Sequence, residues 1–313
     1  MIKLPQPQVI LTHESDLDGL VSGLLLQRLA EKIHGAKPPL EAYHNHNWKQ
    51  RGLPEKSAWV SDFNFEPRLD RPNWVIFDHH AKEGTPTKAQ LVHDSSLSAG
   101  AIVYALGAEV GLATQALDRL VHLSNVADLF LDEDPDFALA LDYASLVKSY
   151  GFWTIHELCA GDLERLIDHP LLEVMLVKRR VEDPIGFEWS RKQIKEISPT
   201  VGFVNTIVGN TNLIVHQLLE SQTTPYKVLL TLYRKSASTM VVSLRSREGE
   251  ALSLAEKLNG GGHPNAAGAT LPKSVQNATD AVVYLQQLLN PKVTVPPPSI
   301  NSLESAFSGL DLS

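Results

Sequence analysis

The stretch Val75-Ile76-Phe77-Asp78-His79-His80 decides the fold, because an apolar run typical of a buried strand ends there in one carboxylate and two imidazoles. Two earlier runs have the same form. Val9-Ile10-Leu11-Thr12 leads into His13-Glu14-Ser15-Asp16-Leu17-Asp18-Gly19, and Ala58-Trp59-Val60 leads into Ser61-Asp62. Three predicted strands therefore each end in side chains that bind divalent metals.

The first half of the chain alternates short apolar runs with helical periodicities, which is typical of βαβ units and a parallel sheet. Residues 20–33 carry apolar side chains at helical spacing, and Gly19 permits a tight passage from strand to helix. Further helices are predicted over residues 99–106, 115–127 and 137–150. Because the ends of parallel strands meet at one edge of an open sheet, we expect the carboxylates and histidines to converge there.

The second half changes character after a charged stretch, 181–200, which is interpreted as a linker between two domains. The elements predicted beyond it are strands over 226–233 and 239–244, helices over 252–258 and 274–289, and a glycine-rich loop over 259–268. Residues 294–313, rich in proline and serine, are predicted to form a flexible tail. The predicted fold class is α/β, with an amino-terminal parallel-sheet domain over 1–180 and a smaller α/β domain over 201–293.

The composition, with 43% hydrophobic and 20% charged residues over 313 positions, is typical of a globular protein. No apolar run approaches the roughly 20 residues that span a bilayer, and no signal-peptide core is present. A cytoplasmic protein without membrane association is expected. The formal charge of −8 disfavours long nucleic acids, which are bound through many Lys and Arg contacts, and leaves short ones open.

Taken in order, these motifs resemble the DHH phosphoesterase superfamily in its arrangement of a DHH domain followed by a DHHA1 domain. The resemblance rests on His13-x-x-Asp16-x-Asp18-Gly19, Asp62, Asp78-His79-His80, Ser243-Leu244-Arg245-Ser246 and Gly260-Gly261-Gly262-His263. Each motif is weakly specific alone, whereas the ordered set covers nearly the whole chain. It implies a catalytic, metal-binding domain over 1–180, a substrate-binding DHHA1 domain over 201–293, and an active site in the cleft between them.

The resemblance also implies two bound cations, Mn²⁺ with Mg²⁺ as the alternative. One cation would be held by His13, Asp16 and Asp62, and the other by Asp18, Asp62, His79 and Asp128, so that Asp62 is shared. Asp128 is chosen because the segment around it resembles the fourth motif of the family, and Asp132 and Asp134 are its rivals. Glu14 is the alternative to His13, because the spacing within the first motif varies among relatives.

Substrate contacts are expected from both domains. His80 would face the phosphate, where it stabilises charge or protonates a leaving oxygen, and Asp78 would orient its neighbours through hydrogen bonds. The predicted substrate-binding residues are Arg245, Gly260, Gly261, Gly262 and His263. Glycines let backbone N–H groups approach an anion, and the two cationic or imidazole side chains can add charge-assisted hydrogen bonds.

Two cations about 3.5–4 Å apart can activate water against a phosphorus centre, so hydrolysis of phosphoester bonds is expected. No Walker or Rossmann glycine pattern is present. The expected substrates are short RNA or DNA oligonucleotides or small phosphorylated nucleotides, since no additional domain is left for tracking a long strand. A RecJ-like single-strand exonuclease and a non-catalytic nucleotide sensor are the alternatives, and a homodimer is left open.

Overall fold

A five-stranded parallel sheet organises the first of two units, which extends to Arg180. The structure is a computed structural model that describes residues 4–81, 84–236 and 239–290. The strands are β1 (Ile10–His13), β2 (Leu40–Tyr43), β3 (Ala58–Ser61), β4 (Trp74–Asp78) and β5 (Gln90–His93), in the order β2-β1-β3-β4-β5. Every pairing in this sheet is parallel, which confirms the fold class predicted for this part of the chain.

The central strands bury side chains on both faces of the sheet. In β4, Val75 and Phe77 belong to the larger hydrophobic core, whereas Trp74 and Ile76 belong to a smaller core on the opposite face. This division follows from the alternation of side chains along a strand. Because both faces are covered, these strands are continuous apolar runs in the sequence, and their polar ends are easy to recognise.

Helices cover this sheet, and the glycine of the first motif allows the first of them to lie close to β1. The helices are α1 (Leu17–His34), α2 (Asn45–Gln50), α3 (Ala99–Glu109), α4 (Gln115–Asp128), α5 (Phe137–Tyr150), α6 (Phe152–Leu158) and α7 (Leu171–Lys192). Helix α1 begins earlier than predicted because the Asp16 carboxylate caps it, accepting a hydrogen bond from the Gly19 N–H at 3.0 Å. A Cβ on Gly19 would lie 2.0 Å from the His13 carbonyl oxygen, so a larger residue would push the helix off the strand.

A six-stranded mixed sheet organises the second unit, which starts at Val181. Its strands are β6 (Lys195–Ser198), β7 (Val201–Phe203), β8 (Val228–Ser236), β9 (Thr239–Ser246), β10 (Gly261–His263) and β11 (Ala266–Thr270), in the order β10-β11-β9-β8-β7-β6. Its helices are α8 (Thr211–Glu220), α9 (Glu250–Lys257) and α10 (Ala278–Leu289). Across the described residues, no helix has the length and apolar character needed to cross a membrane.

The glycine-rich segment differs from its prediction. The prediction of a plain loop over 259–268 is wrong, because β10 and β11 form an antiparallel pair and β11 continues the sheet onto β9. A Cβ on Gly260 would lie 2.1 Å from the Gly268 carbonyl oxygen. The glycines therefore permit close backbone approach within a sheet, which the sequence does not distinguish from a turn.

Two other predicted segments can be compared with the described structure. Residues 181–192 of the predicted linker belong to α7, and 195–198 form β6. The unit boundary falls after Arg180, which lies within α7. The predicted tail over 294–313 lies outside the described residues.

Candidate metal centre

The carboxyl ends of β1 and β3 bring the first group of predicted ligands together. His13 ends β1, Asp16 caps α1, and Asp62 directly follows β3. The His13 Nδ1 atom lies 2.8 Å from an Asp16 carboxylate oxygen and 3.6 Å from Asp62 Oδ2. One ligand atom from each of the three residues lies within 4.8 Å of the others, which is compact enough to surround one ion.

A second group adjoins the first at the end of β4. It consists of Asp18, His79 and Asp128, again with ligand atoms within 4.8 Å of one another. His79 Nε2 lies 3.3 Å from Asp128 Oδ2 and 3.5 Å from Asp62 Oδ1. Asp62 thus directs one carboxylate oxygen towards His13 and the other towards His79. This is the placement required of a carboxylate that serves both groups.

The backbone of Asp62 adopts the left-handed conformation, with φ of 58°. Such a conformation is uncommon outside glycine, and aspartate tolerates it better than most residues. The Asp62 N–H donates to the Phe77 carbonyl oxygen at 3.0 Å, so neighbouring β4 holds the end of β3 in place. Backbone strain of this kind often accompanies functional sites.

Asp18 is held by the start of α3, far away in sequence. Its carboxylate accepts hydrogen bonds from the backbone N–H of Ala99 at 2.8 Å and of Gly100 at 3.0 Å, and from the Ser124 hydroxyl at 3.2 Å. A Cβ on Gly100 would lie 2.8 Å from an Asp18 oxygen, so the glycine leaves room for the carboxylate. These contacts fix the orientation of Asp18 towards His79 and Asp128.

His80, the last residue of the DHH sequence, has a different environment. Its Nδ1 atom lies 2.7 Å from Asp78 Oδ1, and Asp78 itself is buried. The His80 carbonyl oxygen lies 2.7 Å from His93 Nε2, so the last residue of β5 also holds the backbone of His80 in place. A carboxylate on one ring nitrogen fixes the orientation and tautomer of an imidazole.

The crowded charges change the protonation of these groups in the metal-free protein. Burial, together with the charge on Asp62, raises the pKa of Asp18 to about 7. Burial opposes a charge on His13, but the neighbouring carboxylates of Asp16 and Asp62 outweigh it and raise the pKa of His13 to about 11. The metal-free centre therefore retains protons at neutral pH that bound cations would replace.

The pKa values of two further buried carboxyl groups shift in opposite directions. Burial and the charges on Asp18 and Asp62 raise the pKa of Asp128. Burial also opposes the charge on Asp62, yet the imidazoles of His13 and His79, at 3.6 and 3.5 Å, hold the pKa of Asp62 below its usual range. Asp62 is accordingly the carboxylate that stays ionised at the centre of the cluster.

The residues present fit divalent cations. Asp62 Oδ2, both ring nitrogens of His79 and Asp128 Oδ2 are buried, and none has a hydrogen-bond partner among the described residues. Leaving buried polar atoms unsatisfied costs about 1–3 kcal/mol each, so their concentration at one point requires an explanation. Carboxylate oxygens with imidazole nitrogens and no thiolate suit Mn²⁺, Mg²⁺ or Zn²⁺.

Two of the rival ligands named from sequence, Glu14 and Asp134, have other neighbours. Glu14 faces His44, with its carboxylate 3.7 Å from His44 Nε2, whereas His13 faces Asp16 and Asp62. Asp134 lies 3.5 Å from His122, in a separate and more exposed group.

The predicted substrate residues of the second unit lie on adjoining strands. Arg245 of β9 pairs with Ala266 of β11, which pairs in turn with His263 of β10. Residues directly opposite each other in antiparallel strands point to the same face, so Arg245 and His263 share one face of this sheet. Arg245 donates to the Ser243 hydroxyl at 3.2 Å and to the Leu244 carbonyl oxygen at 3.0 Å, and burial lowers its pKa.

The sequence predicts a strand over 90–92 that leads into His93 and Asp94 but assigns these two residues no functional role, whereas the structure places the end of β5 beside His80. His93 ends that strand as His13 ends β1, and Asp94 follows it. The signal that could have identified them is the same one, an apolar run that ends in imidazole and carboxylate.

One comparison with known proteins matches a part of the second unit, and others match most of the chain. The family model described as the DHHA1 domain matches residues 203–290. In fold, the chain is similar to the pGpG-specific phosphodiesterase PggH from Vibrio cholerae, with 13% identity over 90% of this chain and 98% of that one and a TM-score of 0.54. It is also similar to exonuclease RecJ bound to manganese, with 16% identity, 90% of each chain covered and a TM-score of 0.52. No curated protein matches it by sequence.

A third solved structure extends the similarity. It is the DHH domain of a protein assigned to a family of ribosomal proteins, and it shares 17% identity with this chain, covering 92% of it and 87% of that structure, with a TM-score of 0.52. At such identities the likeness shows the fold.

Proposed function

We propose that the chain, whose residues 203–290 match the DHHA1 domain and whose fold is similar to that of a phosphodiesterase and an exonuclease, is a DHH/DHHA1 phosphoesterase. It would hydrolyse phosphoester bonds in short oligonucleotides or small phosphorylated nucleotides. The observation that carries the proposal is the position of Asp62, whose two oxygens face His13 and His79 from the middle of the cluster. The names of two proteins with this fold agree with it, since one is a phosphodiesterase specific for pGpG and the other an exonuclease.

Two divalent cations would be held by the groups described above. His13, Asp16 and Asp62 would hold one, and Asp18, Asp62, His79 and Asp128 would hold the other. Mn²⁺ is the proposed ion, because the donors are mainly carboxylate with imidazole and because the RecJ structure of this fold is bound to manganese. When bound, such ions lower the pKa of water and stabilise charge on phosphoryl oxygens.

His80 is the residue proposed to act on the reacting phosphate. Burial opposes its charge, but the Asp78 hydrogen bond and the charge on Asp62 raise the pKa of His80 above its ordinary value. A protonated imidazole in a fixed orientation can neutralise charge that develops on phosphate, or donate a proton to the leaving oxygen. Asp78 acts through His80 as a positioning residue.

The second unit is proposed to bind a part of the substrate away from the scissile bond, either a phosphate or a sugar. Arg245 and His263 lie on the same face of the sheet and can bind an anion together. A Cβ on Gly261 would meet nothing within 4 Å, so a ligand can approach the backbone there.

A substrate panel tests the proposal. The purified full chain would be assayed with Mn²⁺ and with Mg²⁺ on 3′-phosphoadenosine 5′-phosphate, dinucleotides, a five-nucleotide RNA, long single-stranded DNA and pyrophosphate. Highest kcat/KM on the dinucleotides or the small bisphosphate is expected, with Asp62→Asn inactive on all. Preferential degradation of long DNA would favour the RecJ-like exonuclease, and tight nucleotide binding without turnover would favour the sensor.

A further inference from the structure

We propose that an open groove at the carboxyl end of β5 binds the sugar next to the scissile phosphate, and that Asp94 makes the site prefer ribose to deoxyribose. The inference rests on the proposed function and specifies its substrate class. The groove has a volume of about 440 Å³ and is lined by His80, Ala81, His93, Asp94 and Ser95. That volume falls within the range of small-molecule sites.

The groove begins directly beside the metal centre. His80 lines it and also has a ligand atom within 4.8 Å of those of Asp62 and His79. In a nucleotide the sugar is joined to phosphorus through a single oxygen atom. The part of a substrate that enters this groove from a phosphate held at the centre is therefore the sugar, and the base lies farther away.

The chemistry of the lining also favours a sugar. What the lining offers is carboxylate, imidazole and hydroxyl groups, which form hydrogen bonds with hydroxyls.

Two acceptors are set in place in the groove. The His80 carbonyl oxygen can only accept, so His93 Nε2, at 2.7 Å, carries the proton, and Nδ1 of a neutral His93 ring is then an acceptor. One oxygen of Asp94 accepts from both the backbone N–H and the hydroxyl of Ser96, at 2.9 and 2.6 Å. These bonds hold the pKa of Asp94 below its usual range, so it remains a carboxylate.

An acceptor-rich groove selects a ligand with hydroxyl donors. The 2′-hydroxyl of ribose can donate to Asp94, and deoxyribose has no such donor. A carboxylate fixed beforehand by Ser96 loses little freedom on binding, which increases its contribution to affinity. An acidic side chain on a ribose hydroxyl is an established solution in dinucleotide-binding sites.

The experiment compares kcat/KM for 5′-phosphorylated diadenylate in its ribose and 2′-deoxyribose forms, with Mn²⁺. The wild type is expected to prefer ribose by tenfold or more. Asp94→Asn and Asp94→Ala should lower that ratio about tenfold, which corresponds to 1.4 kcal/mol. Ser96→Ala, which frees the Asp94 side chain, should lower it by a smaller factor.

The matched control is Asp118→Asn. Asp118 is an exposed residue of α4 that accepts a hydrogen bond from the Tyr104 hydroxyl and is not among the described residues that line the groove. It should retain the wild-type ratio. A ratio unchanged by both Asp94 variants, or a wild type without sugar preference, would overturn the inference alone. A wild type that hydrolyses neither form would instead overturn the proposed function. Asp94 is exposed, and circular dichroism would show that each variant is folded.

Discussion

The metal centre and the glycine-rich hairpin of β10 and β11 are built in opposite ways. In the first, buried carboxylates and imidazoles crowd together, and several of their atoms have no hydrogen-bond partner among the described residues. In the second, strands with few side chains bring backbone close to backbone. The first region concentrates buried charge that bound cations would balance, whereas the second region owes its close backbone contacts to glycine.

The largest effect is expected at the residue shared by both ligand groups. Asp62→Ala should lower kcat by at least about a thousandfold, because Asp62 faces both His13 and His79 and both proposed cations would lose a ligand at once. Metal content, measured by elemental analysis after dialysis, should fall in parallel. Asp118→Ala serves as the control, since it removes an exposed carboxylate outside the centre. Substantial turnover by Asp62→Ala would rule out a shared ligand.

The variant His80→Ala tests whether His80 acts on the substrate without binding a metal ion. His80→Ala is expected to reduce kcat about 10²- to 10⁴-fold, the usual contribution of a general acid or base, while the metal content stays near that of the wild type. Loss of metal would make His80 a ligand. Asp78→Asn should reproduce a smaller part of the decrease, since it weakens the hydrogen bond that orients the ring.

The protons held by the metal centre predict how its affinity for cations depends on pH. His13, with a pKa of about 11, and Asp18, with a pKa of about 7, carry protons in the metal-free protein that must leave when a cation binds. Affinity should therefore rise by at least about tenfold for each pH unit from 6 to 8, most steeply below pH 7 where Asp18 is also protonated. Calorimetry in buffers of different ionisation enthalpy would measure the released protons, and a pH-independent affinity would contradict these protonation states.

A smaller effect is expected in the second unit. Arg245→Ala should raise KM for a dinucleotide about tenfold and that for a small chromogenic phosphodiester much less, without changing the metal content. Equal changes for both substrates would count against a role in holding the distal part of the nucleotide. Arg247→Ala is the matched control, because Arg247 is exposed and paired with Glu220.

The smallest effects are expected on the stability of the hairpin, where the space around two neighbouring glycines differs. Gly262 has φ of 140°, and a Cβ there would lie 2.6 Å from the Ala266 carbonyl oxygen, so Gly262→Ala should lower the free energy of unfolding by about 1–3 kcal/mol. Gly261→Ala meets open space and should change it by less than about 1 kcal/mol. Urea denaturation measures the free energy of unfolding of both variants. Equal decreases would show that the hairpin does not require glycine at position 262.

Much of the first unit was predictable because two sequence features indicate its strands: an apolar run and the polar residues that follow it. The parallel sheet and its helices follow from that pattern. The hairpin was not predictable in the same way, since glycine has no side chain to show the alternation of a strand. The short helix α2 was not predicted either; it follows His44, and its residue Trp48 belongs to the smaller core.

The sequence by itself determined which chemical groups end the strands, because the length of each apolar run fixes where the chain leaves the core. Only the tertiary structure decided which of those groups meet. Asp128, the last residue of α4, lies beside His79, whereas Asp134, beyond the end of that helix, lies beside His122. Likewise, Asp62 faces two groups only because β3 lies between β1 and β4 in the sheet, an order that local sequence does not encode.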